Sequence, residues 1–325
     1  MSRSAKKLIV SIGLAGAAVA LVCLAVTARS FRSIESARLP DAAIRYEPQS
    51  MPFTLTRRRP PTTGPSIRVA VIGGMTFTGF WDELAGRYEQ QSGVRVDLIA
   101  TGEKNDIADV FRKGGVDVIT MHSSDTIINL VAEGLAMDPQ PWMRNDLVIV
   151  GPPSDPARIA GMTDAAAALK KIAATKSPFV VQSSLGSQEV LLNILGPNQI
   201  IFDPAQLTVM FDDRTRSVLA VAGQKHAYTL VGRIPFRSGK IPNSGLVMMV
   251  QGDERLRRPF IMEIANPARV PGARVAEARR FAAYCRSPGT QQWIAGFGRG
   301  KIDDLPLFFP VYVPAEPAAA GVPPK

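Results

Sequence analysis

Hydroxyl-bearing residues and glycines follow the first apolar β-run of the sequence, VAVIGGMTFTG at residues 69–79. The run breaks at Gly73-Gly74, offers the hydroxyls of Thr76 and Thr78, and then takes up helical spacing. A strand that leads through glycines into a helix presents free backbone N–H groups, which favour a small anion. Many strand-to-helix turns with this pattern bind nothing, so the turn alone leaves both interpretations open.

Three more polar turns follow predicted strands, at Thr101-Gly102, at His122-Ser123-Ser124 and at Gln182 to Ser187. Ligands of open α/β sheets bind at the carboxyl ends of the strands. Hydroxyls and backbone N–H groups can surround an oxyanion without a full countercharge. Each turn by itself is more often a helix cap, but four of them in this order predict a ligand cleft. The residues that we expect to bind the ligand are Thr76, Thr78, Thr101, Gln182, Ser183, Ser184 and Ser187, with Gly74 and Ser123 as further candidates.

Other chemistries find little support in the sequence. His122 and His226 are the only histidines, and no Cys/His cluster has metal-ligand spacing. No Gly-x-Ser-x-Gly elbow and no phosphate-binding Gly-Lys-Ser/Thr motif is present. The carboxylate pair Asp303-Asp304 stands beside turn residues, as solvated caps do. We therefore expect a protein that is not an enzyme and that holds neither a metal nor a cofactor.

The elements that must position the polar turns belong to the α/β class. From Ile67 onward, strand-like runs alternate with helical ones, which indicates a parallel sheet covered on both faces. A second α/β lobe is expected to begin near Gly151. The predicted strands are IRVAVIG, VRVDLIA, VDVITM, LVIVGPP, FVVQSS, AYTLVGR, LVMMVQ and FIMEIANP.

The amino-terminal segment looks like an export signal. Arg3, Lys6 and Lys7 precede a long apolar run that ends in a Val26-x-Ala28 pair, which suits signal peptidase. About 20 apolar residues could also span a bilayer uncleaved, so residues 1–28 are predicted to be either a signal peptide or a membrane anchor. The mature protein would lie in the periplasm or elsewhere outside the cytoplasm, secreted or anchored.

Positive charge is concentrated before the predicted domain. Residues 1–65 carry ten Lys or Arg against three acidic residues, so +7 of the formal net charge of +10 lies there. Residues 29–65 are basic and rich in proline, which predicts a linker. The rest of the chain is close to neutral, and we do not expect nucleic acid as a partner.

Several longer stretches resemble the periplasmic tungstate-binding proteins of ABC transporters, within the class II solute-binding proteins that include phosphate and molybdate binders. The resemblance covers roughly Ile67 to Pro310, and its landmarks are FWDELAGRYEQQSGVRVDLIATG, DVITMHSSD, RNDLVIVGPPSDPARIAG, ANPAR and SPGTQQWIAGFGRGKIDDLPLFFP. It implies a type II fold of two α/β lobes, joined by the crossover strands LVIVGPP and FIMEIANP, with the ligand cleft between the lobes. It further implies a monomer that delivers its anion to an ABC permease in the membrane.

The order of the predicted elements and the extent of the resemblance together give the expected domain bounds. We expect a solute-binding domain at 66–310 and a flexible tail at 311–325. Lobe I would comprise about 66–150 together with 264–310, and lobe II about 151–263.

The predicted ligand loops diverge from this family. The family carries a run of Thr and Ser after the first strand, where this chain has Gly73-Gly74-Met75. The family arginine before Gly-Asp-Asp-Ser-Gly-Thr is replaced by Gln182. A charge-assisted hydrogen bond is worth about 1.5 to 3 kcal/mol, so this loss leaves the identity of the oxyanion open. Arg233 is the one basic residue considered as a replacement, with a surface salt bridge as its alternative role.

Two functions follow from these patterns. The first is the extracytoplasmic solute-binding component of an ABC transporter, which binds a small oxyanion of the tungstate or molybdate type. The alternative is a membrane-tethered sensory or protein-interaction module on the same fold that has lost oxyanion transport.

Overall fold

A computed structural model of the protein describes residues 54–55, 64–182, 185–210, 215–239 and 241–312. The predicted signal peptide or anchor lies outside the described residues, as do most of the linker and of the tail, and Ser183 and Ser184. All the described residues belong to one unit that begins at Ser50. Within the described residues, no helix combines the length and the apolar character that crossing a membrane requires.

The strands form one mixed sheet in the order β1-β3-β2-β4-β10-β5-β8-β6-β7, and β9 and β11 also pair with β5. The bounds are β1 Thr54–Leu55, β2 Ser66–Ile72, β3 Arg95–Gly102, β4 Val118–His122, β5 Ala136–Gly151, β6 Phe179–Gln182, β7 Leu207–Met210, β8 Tyr228–Gly232, β9 Val247–Val250, β10 Arg257–Ala265 and β11 Phe309–Pro310.

Helices connect most of these strands. Their bounds are α1 Gly73–Thr76, α2 Phe80–Ser92, α3 Lys104–Arg112, α4 Asp125–Ala132, α5 Ala165–Ala174, α6 Leu185–Leu195, α7 Thr215–Gln224, α8 Arg233–Arg237, α9 Val275–Arg286 and α10 Pro288–Gly296. Single 3₁₀ turns precede β7 and β10, at Pro204–Gln206 and Glu254–Leu256.

The sheet is only partly parallel. Strands β2, β3 and β4 run parallel to one another, and β6 runs parallel to β7 and β8. Strand β10 is antiparallel to both β4 and β5, because the chain enters β10 as it returns from the other half of the sheet. The expected parallel pairing is therefore found among β2, β3 and β4 and among β6, β7 and β8, whereas the strands at the centre of the sheet pair antiparallel.

Strand β5 is shared by the two halves of the sheet. Its first part, Ala136 to Asp146, pairs with β10, whereas Leu147 to Val150 pair with β8. The predicted strand LVIVGPP thus forms, but it is the end of a 16-residue strand that begins at Ala136.

The hydrophobic core is divided in the same way. One cluster packs around the first half of the sheet and includes Trp81 from α2, Trp142 from β5 and Phe281 from α9. Two further clusters flank the second half, around Leu169 of α5 on one side and Leu219 of α7 on the other. Each half therefore has apolar packing of its own, and β5 passes between them.

Candidate functional site

Two predicted hydroxyls meet at the carboxyl ends of β2 and β3. The Thr76 Oγ1 and Thr101 Oγ1 atoms lie 3.1 Å apart, and Thr76 Oγ1 also donates to the Gly73 carbonyl over 2.9 Å. Both threonines are partly buried. Because the Thr76 proton goes to Gly73, the Thr101 hydroxyl donates to Thr76, and an arriving acceptor could take either proton by hydroxyl rotation.

The glycine turn between these elements differs from its expected form. Gly73 and Gly74 are the first residues of α1 rather than an open loop, and it is Gly79 that takes a left-handed conformation, with φ of 75°. The Thr78 hydroxyl donates to the Met75 carbonyl over 2.9 Å. Thr78 thus stabilises its own turn, which is the helix-cap role that the sequence left open.

The remaining predicted residues lie where β6 leads into α6. Gln182 ends β6 and is 8% exposed, and Ser187 is the third residue of α6 and is 7% exposed. Ser183 and Ser184, between them, lie outside the described residues.

The start of α6 lies against the edge that carries Thr101 and Ser123. A methyl group built on Gly186 would come within 3.6 Å of Lys104 Nζ and 3.7 Å of the Ser123 carbonyl oxygen. Lys104 is the first residue of α3, three positions after Thr101, and Ser123 follows β4 directly. The polar turns of both halves of the sheet are therefore brought together here.

An arginine that was not predicted also lies at this contact. A methyl group on Gly186 would meet Arg258 Nη1 at 2.9 Å. Arg258 stands near the start of β10, where its Nε donates to Asn145 Oδ1 over 3.1 Å and its Nη2 lies 3.2 Å from His122 Nε2. The Arg257-Arg258 pair before FIMEIANP was the available signal, but the predicted strand began only at Phe260.

The ring of His122 is neutral in this arrangement. Arg258 Nη2 can only donate, so His122 Nε2 accepts and the ring proton lies on Nδ1. Burial lowers the pKa of His122 well below its ordinary value, and the nearby charges of Arg258 and Lys104 lower it further. Burial also lowers the pKa of Arg258 to about 10, which leaves the guanidinium charged at neutral pH.

Arg233 has a different role from either of those considered. It is fully buried, its Nε donates to Asp146 over 2.7 Å, and its Nη1 donates to Asp303 over 2.7 Å. Its Nη2 donates to the Pro306 carbonyl. The expected surface salt bridge is therefore a buried one, since Arg233 is the first residue of α8 and directly follows the buried strand β8. These acceptors engage all three guanidinium nitrogens.

A separate cavity of about 340 Å³ lies away from this cluster of turns. Its lining includes Lys176, Pro178 and Gln206, which precede β6 and β7, so it opens at the amino ends of those strands. Among the described residues, no group of three or more His, Cys, Asp or Glu side chains is placed to hold a metal ion.

The sequence is similar to that of known solute-binding proteins. The family model for bacterial extracellular solute-binding proteins matches residues 67–299. The tungstate-binding protein TupA of Peptoclostridium acidaminophilum is 26% identical over 247 residues, which cover 75% of this chain and 85% of the relative.

Two solved structures are similar to this chain over most of its length. The tungstate-binding protein TupA from Desulfovibrio alaskensis G20 aligns with a TM-score of 0.61 and 27% identity, covering 76% of this chain and 99% of that one. The tungstate ABC transporter structure from Geobacter sulfurreducens aligns with a TM-score of 0.58 and 26% identity, covering 71% and 98%. The resemblance read from the sequence is confirmed, and the α/β fold matches that of two-lobed periplasmic binding proteins. The chain belongs to the bacterial extracellular solute-binding proteins.

Proposed function

We propose that this protein is the extracytoplasmic binding component of an ABC transporter and that it binds a small oxyanion of the tungstate or molybdate type. The ligand would lie between lobe I, about 66–150 plus 264–310, and lobe II, about 151–263. One observation carries the proposal: the Thr76 and Thr101 hydroxyls, 3.1 Å apart, share a sheet edge with the turns that meet the start of α6.

The chemistry of this edge suits an oxyanion. Threonine and serine hydroxyls can donate to its oxygens, and the first backbone N–H groups of α6, at Leu185 to Ser187, have no partner within the helix. We assign Thr76 and Thr101 to the lobe I side and Gln182 and Ser187 to the lobe II side. The names of the similar proteins, which are tungstate binders, support the same class of ligand.

Transport would follow from lobe closure. A ligand that contacts both lobes only in the closed form binds that form more tightly, and it shifts the population of the protein toward that form. The closed, loaded monomer would then dock on its permease. This role requires a location outside the cytoplasm, in keeping with the family.

Thermal unfolding of the full-length protein tests the proposal directly. Tungstate, molybdate, sulfate and phosphate are each added at millimolar concentration. A ligand at about a thousand times its Kd adds roughly 4 kcal/mol to the free energy of unfolding, which for a domain of this size raises Tm by about 10 °C. No shift with any of the four would contradict the proposal and favour the sensory or protein-interaction alternative.

The hydroxyl pair gives the matching mutational test. Thr76→Val and Thr101→Val remove one donor each while keeping the shape of the side chain. Each is expected to weaken tungstate or molybdate binding about tenfold or more, since a hydrogen bond to a charged group contributes about 1.5 to 3 kcal/mol. Thr175→Val, at the end of α5, is the control, because its hydroxyl bonds only to local groups there. If both site variants bind tungstate and molybdate as tightly as the wild type does, the Thr76 and Thr101 hydroxyls are not part of the site.

A further inference from the structure

Arg258 is a partly buried cation whose contacts are all with neutral groups. Among the described residues, no carboxylate pairs with it, whereas the buried Arg233 has both Asp146 and Asp303. Burial of a charge is costly unless an opposite charge compensates it. Arg258 therefore differs from Arg233, because no negatively charged group among the described residues compensates its charge.

The groups that hold Arg258 orient it without neutralising it. Asn145 Oδ1 accepts from Nε at 3.1 Å, and the neutral His122 ring accepts from Nη2 at 3.2 Å. Both acceptors are uncharged, so the guanidinium keeps its full positive charge. The arrangement fixes two of its three nitrogens on the β4 and β5 side, and Nη1 has no hydrogen-bond partner among the described residues.

The third nitrogen is directed to the start of α6. A single point, the position of a methyl group on Gly186, lies 2.9 Å from Arg258 Nη1 and 3.6 Å from Lys104 Nζ. Gly186 is the second residue of the 11-residue helix α6, so this point is also beside the first backbone N–H groups of that helix. Two cations and a helix N-terminus thus converge where residue 186 has no side chain.

We infer that Arg258 is the charged, specificity-determining residue of the oxyanion site and that, with Lys104, it makes the site selective for divalent over monovalent oxyanions. The inference rests on the proposed function and names the class of ligand for that same site. Asn145 and His122 act as positioning residues for Arg258. Because Gln182 is neutral, the positive charge of the site comes from Arg258 on β10 and Lys104 on α3.

Isothermal titration at pH 8 with two tetrahedral probes tests this inference. Tungstate is divalent and perrhenate is monovalent, and the two have similar shapes. The wild-type protein is expected to bind tungstate at least about tenfold more tightly than perrhenate. Because the coulombic contribution scales with ligand charge, Arg258→Gln should weaken tungstate binding about a hundredfold and perrhenate binding only about tenfold.

Arg257→Gln is the matched control for that variant. Arg257 is the neighbouring arginine on β10, but its guanidinium lies 4.0 Å from the centre of the Phe309 ring and its Nη1 pairs with Glu254. It should change the affinity for tungstate by about threefold or less.

Gly186→Ala provides a second test that does not depend on removing a charge. Alanine is a good helix former, and the close contact of its methyl group is with the end of the long Arg258 side chain, which can move, so this variant should fold. Its methyl group would occupy the point between Arg258 and Lys104, and tungstate affinity should fall about tenfold or more. Gly86→Ala in α2 is its control, since nothing lies within 4 Å of the added methyl there.

The outcomes separate this inference from the proposed function. If the wild type binds tungstate but Arg258→Gln and Gly186→Ala bind it equally well, the oxyanion function stands and the role of Arg258 is refuted. If perrhenate binds as tightly as tungstate, the selectivity for divalent ions is refuted. If the wild type binds neither probe, the proposed function fails and the inference fails with it.

Discussion

Glu263 is a buried ionisable side chain whose effect on stability can be measured directly. It is fully buried in β10, and both of its carboxyl oxygens lack hydrogen-bond partners among the described residues. It lies opposite Ile119 of β4, at an irregularity in the pairing of β10 with β5. Burial raises its pKa from 4.5 to about 8, so the folded protein holds this carboxyl group in its neutral form at pH 7.

The change in pKa has a defined effect on stability. In the unfolded chain Glu263 ionises above about pH 4.5, but in the folded protein it stays protonated until about pH 8. The contribution of Glu263 to the free energy of unfolding is therefore fully present below pH 4.5 and is lost as the pH rises through the folded pKa. With about 1.4 kcal/mol for each pKa unit, roughly 3 kcal/mol is lost by pH 7 and roughly 5 kcal/mol by pH 9.

Glu263→Gln removes this dependence, because the amide is neutral throughout. Urea unfolding of the variant and the wild type, at several pH values from 4.5 to 9, gives the difference in unfolding free energy at each pH. We expect the variant to gain about 3 kcal/mol relative to the wild type by pH 7. The exposed Glu189→Gln controls for the loss of a charge that is not buried. A Glu263→Gln difference that stays constant across the range would refute the reasoning.

Two further substitutions test packing at the centre of the molecule. Arg233→Met leaves the buried Asp146 without its partner and should lower the free energy of unfolding by about 3 to 5 kcal/mol. Arg237→Met removes a longer contact to Asp303, 3.7 Å, from an arginine that is 38% exposed, and should cost less than about 1 kcal/mol. Urea unfolding of both variants checks this. Gly151→Ala would place a methyl group 2.3 Å from the Tyr228 ring and should cost about 1 to 3 kcal/mol, and an unchanged urea midpoint would contradict that clash.

Most elements of the first half of the sheet could be predicted from local patterns. The predicted strands IRVAVIG, VRVDLIA and VDVITM are found as β2, β3 and β4, because short apolar runs of this length are typical of buried strands. The first part of β5 was not expected. Its sequence AMDPQPW carries Pro139 and Pro141 and has no alternating pattern. Pairing with β10 makes it a strand, and that partner is distant in sequence.

The candidate site was predictable where it follows strand ends and unpredictable where tertiary pairing creates it. Thr76 and Thr101 were expected to lie together because parallel strands end at one edge, and they do. Their role in ligand binding stays a prediction. Arg258 was missed because it precedes Pro259 and the apolar run, and only the register of β10 against β5 brings it beside Asn145. Burial of Arg233 likewise depends on Asp146 and on a segment near Asp303 that is far away in the sequence.

The position of β10 between β4 and β5 also governs when the molecule can fold. The contact between His122 and Arg258 joins residues 136 positions apart, and the core of the first half includes Phe281 and Phe308 from still later in the chain. Long-range pairings of this kind form late, because a long loop must close before they contribute. An emerging chain cannot complete its first hydrophobic core until nearly the whole sequence is available. For a chain that is exported, a core completed this late would keep the polypeptide unfolded enough to be threaded across a membrane before the native state forms.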